Sequence, residues 1–157
     1  MDNVVTGRNE NLKKVRLILL LIILLILTGC SNRDVIKHTY FRKGESDLWK
    51  VYYQEKSVVT IKTIDGKLNY DSNTDATFTA VYKKRLSDLK NVKKIVIGYE
   101  AGSSGSTLTE ENDGEGPSSR AFILHSSDGL VGNEDGVVNA TISIDGETET
   151  FELKNNK

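Results

Sequence analysis

Apolar and polar residues alternate along most of the chain, in short runs separated by turn residues. Leu48 to Gln54 is a clear case, with Trp49, Val51 and Tyr53 on one face and Lys50, Tyr52 and Gln54 on the other. Phe78, Ala80 and Tyr82 alternate in the same way with Thr77, Thr79 and Val81. Further strands are predicted at His38–Arg42, at β-branched Val58–Ile64 with Lys67–Tyr70 returning, at Val92–Tyr99 and at Ala121–His125. The hairpin Val137–Ile144 and Glu147–Leu153 has the strongest pattern. Val138, Ala140, Ile142 and Ile144 line one face, and Phe151 and Leu153 answer from the other strand. Asp65-Gly66 and Asp145-Gly146 are two-residue hairpin turns, and Gly44-Glu45-Ser46-Asp47 is a further turn. Polar loops are expected at 71–75, 101–120 and 126–135, and Lys83–Lys94 has room for only a turn or two of helix. About eight short strands without alternating long helices predict an all-β fold, an antiparallel β-sandwich of Ig-like or related type.

One stretch breaks this rhythm. Lys13, Lys14 and Arg16 precede an uninterrupted apolar run from Leu17 to Leu27. A basic front before a short apolar core is the layout of a secretory signal. Eleven residues fall short of the roughly 20 that a spanning helix needs. The positive flank stays inside, so the chain beyond the apolar run is expected to be exported.

The run ends in Leu27-Thr28-Gly29-Cys30. This resembles the lipobox of bacterial prolipoproteins, an aliphatic residue and two small residues before a cysteine. The resemblance implies cleavage before Cys30 and a thioether-linked diacylglycerol on its sulfur. Cys30 is the single cysteine of the chain, so no intramolecular disulfide competes for it. The other readings are an ordinary signal peptide with an incidental cysteine, or a short signal anchor. Gly44-Glu45-Ser46-Asp47-Leu48-Trp49 and the closing Thr150-Phe151-Glu152-Leu153 are similar to segments of small lipoproteins of Gram-positive bacteria, a group that brings no activity with it.

The expected organisation is therefore a signal peptide at 1–29, a lipidated tether at 30–37, a β-domain at 38–154 and a polar tail at 155–157. The whole chain carries 21 basic and 22 acidic residues; the leader takes four and two of them, which leaves a net charge of −3. Nothing in that balance attracts nucleic acid. The halves differ, however: 33–94 is rich in Lys and Arg, whereas 100–152 carries Arg120 alone against many carboxylates. Lys83, Lys84, Arg85, Lys90, Lys93 and Lys94 cluster on one connection. If that connection lies at the tethered end, anionic headgroups should attract it.

Chemistry is sparse. His125 with Ser126 or Ser127 and Asp128 does not assemble a triad, since adjacent strand residues point to opposite faces. No phosphate loop, nucleophile elbow or His/Cys ligand spacing occurs. Asp71, Asn73 and Asp75 place oxygens at alternate positions, as at the opening of a calcium loop, but Ala76 and Tyr82 stand where glycine and a closing carboxylate belong. The 110–115 loop, on the same end if the strands alternate up and down, would supply the missing carboxylates; 133–136 would sit at the opposite end. Trp49 and Phe78 are expected in the core, with Tyr52 outside. The expected protein is a non-enzymatic binding or envelope-interaction module without a cofactor, held by Cys30 on the extracytoplasmic face of the cell membrane. Its partner is membrane lipid together with an unidentified envelope protein or ligand. The alternative is a ligand or calcium binder using the 71–75 and 110–115 loops.

Overall fold

The computed structural model describes residues 14–19, 33–102, 104–127, 129 and 131–155. The chain divides into two compact units, 1–32 and 33–157. In the first, residues 14–19 are helical and exposed. The lipobox and most of the apolar run lie outside the described residues. No helix among the described residues is long and apolar enough to cross a membrane.

The second unit is all-β. Its strands are β1 (Arg33–Glu45), β2 (Trp49–Ile64), β3 (Lys67–Tyr82), β4 (Lys94–Ala101), β5 (Ser104–Glu111), β6 (Ala121–Ser127), β7 (Val138–Ile144) and β8 (Glu147–Asn155), with one short 3-10 turn at Leu86–Leu89. All neighbours are antiparallel, in the order β5-β4-β7-β8-β1-β2-β3-β6. The sheet curls until its edge strands β5 and β6 approach each other, a nearly closed barrel. The β1–β8 seam is short, with Arg42 opposite Asn155 and Lys43 opposite Lys154.

Several predicted boundaries are corrected. Leu48–Gln54 and Val58–Ile64 merge into β2, because Glu55 and Ser57 continue the inward phase of Trp49, Val51 and Tyr53. Residues 71–75 are not a loop but the middle of β3, paired with Lys56 to Thr60. Within the expected loop at 101–120 lies β5, whose alternating Ser and Thr pair with β4. Gly98 admits it: a Cβ there would come within 3.0 Å of the Thr107 hydroxyl. Residues 33–37, expected as tether, are strand, as is Asn155.

The inward faces agree with the alternation. Trp49, Val51, Tyr53, Phe78, Ala80, Tyr82, Val138, Ala140, Ile142 and Leu153 are all buried, joined by Leu89, Ile95, Ile97, Tyr99, Phe122 and Leu124. Trp49 packs between Tyr82 and Phe122, and Phe78 stacks on Tyr99 with centroids 5.1 Å apart. Tyr52 sits half-buried on the outer face beside Phe41.

Both Asp-Gly turns have positive φ at each residue, 51° and 74° at Asp65-Gly66 and 50° and 95° at Asp145-Gly146, as a type I′ turn requires. Asp145 does more, for its Oδ1 accepts from the backbone N–H of Lys93 and Lys94 at 2.9 and 2.8 Å. This ties the β7–β8 turn to the start of β4. Asp145→Ala removes both bonds and should destabilise by about 1–3 kcal/mol, since each net hydrogen bond contributes roughly 0.5–1.5. Asp145→Asn, which tolerates the left-handed backbone and keeps an acceptor, should lose less. Urea unfolding of the two variants separates these outcomes.

Candidate functional site

Where β1, β2 and β3 run past the end of the other strands, a cavity of about 460 Å³ opens between them and the segment from Gly129 to Asn139. Arg42 of β1, Tyr53 and Glu55 of β2, Thr74 and Ala76 of β3, Ser104 of β5 and Ser126 of β6, the cross-strand neighbour of Ala76, line it. Register explains the grouping. Arg42 lies across from Tyr53, Tyr40 from Glu55, and Ser57 from Thr74, so all share the inward face.

Two charged residues are buried here, Arg42 at 2% exposure and Glu55 at 3%. Groups of this kind are rarely found inside unless strongly bonded. The Glu55 carboxylate accepts from the backbone N–H of Gly132 at 2.7 Å and from the Tyr53 hydroxyl at 3.1 Å. Arg42 Nη2 donates to the carbonyls of Asn133 and Glu134 at 2.6 and 3.4 Å, and its guanidinium lies 5.5 Å from the Tyr40 ring centre. The two side chains therefore hold 132–134 from below, one through an N–H and one through carbonyls. Gly132 is needed at this approach, because a Cβ there would come within 2.6 Å of the carboxylate. Tyr99 and Ser126 share a 2.6 Å hydrogen bond at the inner end.

Thr74 Oγ1 is buried in the lining and has no hydrogen-bond partner among the described residues; the same holds for Ser57 Oγ directly across from it. Buried hydroxyls normally find partners. Here they leave polar capacity turned to the inner side of the sheet.

Burial raises the Tyr53 phenol well above its ordinary value of 10.0, and the nearby Glu55 charge and hydrogen bond add to it, against a smaller opposing effect of Arg42. Tyr82 is also raised, by burial and then by Asp88. A folded-state value above the unfolded one means stability that is fully present below about pH 10 and is lost as pH rises toward the folded value. Stability should thus fall on the alkaline side, and Tyr53→Phe should flatten that slope. Urea unfolding at stepped pH above 8 measures it; equal slopes in both proteins would contradict the assignment.

The residues singled out from sequence are distributed differently. Asp71, Asn73 and Asp75 are exposed on the outer face of β3, beside Thr60, Val58 and Lys56. Their Cα atoms are about 6.6 Å apart at strand rise, so the side chains stand parallel and do not converge as in a calcium loop. Nor does 110–115 join them. Glu111 pairs with Lys94 next to the 3-10 turn that follows Tyr82, whereas Asp75 lies across from Ser127, toward the other end of β3. The 133–136 segment, expected at the far end, borders the cavity together with Thr74. Among the described residues no group of three or more His, Cys, Asp or Glu could hold a metal. His125 points outward and is hydrogen-bonded to Thr77 at 3.2 Å, whereas Ser126 reaches inward to Tyr99. Cys30 and Asp128 lie outside the described residues.

Arg42 and Glu55 were missed as site residues. Glu55 alone carried a trace of signal, standing in phase with Trp49, Val51 and Tyr53, whereas no apolar row on β1 marks Arg42. Comparison with known proteins returns no match: no family model, curated protein or solved structure is similar to the chain.

Proposed function

We propose that this chain is a lipid-anchored, extracytoplasmic binding protein that takes a small polar molecule into the Arg42–Glu55 cavity and carries out no reaction on it. The observation that carries the reading is the cavity itself, with two buried charges and a hydroxyl without a partner among the described residues in its lining. Its volume falls within the roughly 300–1,000 Å³ of small-molecule sites. The ligand should carry both donors and acceptors, because the lining offers the Arg42 guanidinium as donor, the Glu55 carboxylate as acceptor and that Thr74 hydroxyl. The short β1–β8 seam supports a finer description, in which the two parts of the sheet it joins are the layers of an antiparallel sandwich closed around this cavity.

The anchor rests on Leu27-Thr28-Gly29-Cys30 and the basic, apolar segment before it. Cys30→Ala should abolish labelling by radioactive fatty acid and leave the precursor uncleaved; unchanged labelling and membrane retention would reject the lipoprotein assignment. For the cavity, native mass spectrometry of protein released gently from membranes should show a noncovalent small-molecule adduct. Val137→Trp crowds the rim, where Val137 is half exposed, and should remove that adduct. An adduct unaffected by Val137→Trp, or none in the parent protein, would reject the binding role.

A further inference from the structure

β1, β2 and β3 are longer than the strands beside them. β3 pairs with β6 only from Asp75 onward, and β1 meets β8 only at Arg42 and Lys43. Residues 33–39, 56–64 and 67–74 therefore form a three-stranded extension whose end is the Asp65-Gly66 turn. Near that end the apolar side chains are in water: Ile64 is 51% exposed, Leu68 60% and Tyr70 68%. Leu68 and Tyr70 continue the inward phase of Phe78 beyond the barrel, and Ile64 is on the opposite face. The tip is thus apolar on both sides, which suits insertion end-on rather than docking by one face.

Cations stand just above this tip. Arg33 lies across from Lys62, and Lys67 from Ile64. Over the whole extension and its turn, Arg33, Lys37, Lys56, Lys62 and Lys67 stand against Asp34, Asp65 and Asp71. Arg33, at the same end, follows Cys30 by three residues, at most about 11 Å of chain. The basic connection Lys83–Lys94, whose place at the tethered end was only a condition of the sequence reading, follows Tyr82, which pairs with Trp49 at the other end of the long strands.

We propose that this extension is a membrane-contacting arm, which inserts Ile64, Leu68 and Tyr70 among the headgroups of an anionic bilayer while Arg33, Lys62 and Lys67 meet the lipid phosphates. The proposal rests on the lipoprotein reading for the position of Cys30. Three features select a bilayer over another occupant: the short chain from Cys30 to Arg33, the net positive charge of the extension and the apolar side chains on both faces of its tip. Exposed apolar groups ringed by cations are what an anionic interface accepts.

The test uses the full chain reconstituted in vesicles containing phosphatidylglycerol, with a thiol-reactive fluorophore at Leu68→Cys or, as the distant control, at Ser87→Cys. Brominated lipids should quench the Leu68→Cys probe several-fold more than the Ser87→Cys probe. Replacing phosphatidylglycerol by phosphatidylcholine, or Lys62 and Lys67 by glutamine, should shrink that difference. Equal quenching at the two sites overturns the inference. So does a Leu68→Cys probe that is shielded from water yet unquenched by lipid, the result expected if a second copy or another protein covers the arm. Failure of the anchor is read separately: dye uptake by the unsubstituted chain would mean a free Cys30. The comparison is then repeated with Cys30→Ser in both probes, where the same outcomes decide.

Discussion

Phe78→Ala lowers the unfolding free energy by about 3–5 kcal/mol, the usual loss when a fully buried aromatic is truncated. Phe78 has no exposure, packs face to face with Tyr99 and stands on β3 where that strand is flanked by β2 and β6. The neighbours cannot collapse freely into the space, since Tyr99 is also held by Tyr53 at 5.2 Å and by the Ser126 hydrogen bond. A domain of this size has only about 5–15 kcal/mol in total, so the variant is expected to be partly unfolded at 37 °C. Phe78→Leu retains much of the volume and should lose clearly less. The urea midpoints of the two variants give the comparison; a Phe78→Ala midpoint within error of the parent would mean that this ring does not hold the barrel together.

Glu55→Ala is expected to have an effect of similar size for a different reason. It leaves the Gly132 N–H and the Tyr53 hydroxyl without acceptors and Arg42 buried beside an emptied position. Each hydrogen bond to a charged group contributes roughly 1.5–3 kcal/mol. We expect a loss of about 3–4 kcal/mol, together with a local effect that Phe78→Ala lacks. The Gly132 amide, protected in the parent by its 2.7 Å bond, should exchange with solvent far faster than the core strands do. Glu55→Gln keeps one acceptor and should fall between. If Gly132 exchanges at the parent rate in Glu55→Ala, the carboxylate does not hold the segment.

The same pair accounts for what the amino-acid pattern left hidden. Alternation was sufficient to place Trp49, Val51 and Tyr53 inside, to place Tyr52 outside and to orient both hairpins, because side-chain direction in a strand follows position along the backbone. It was also sufficient for the Asp-Gly turns, whose positive φ is a local preference. By itself, then, the sequence determined the all-β class, the facing of the main strands, the two tight turns and the separation of His125 from Ser126.

What only the tertiary structure decided depends on partners far away in the chain. Glu55-Lys56-Ser57 and Asp71 to Asp75 read as breaks because they are polar, yet opposite each other they satisfy one another's backbone and make two continuous strands. Ser104 to Glu111 has no apolar period, and it becomes a strand because β4 offers it an edge. Arg42 and Glu55 become a site when they meet 132–134, some 77 to 92 positions along the chain. Ring closure and the location of the cavity arise from those long-range pairings, which no local period encodes.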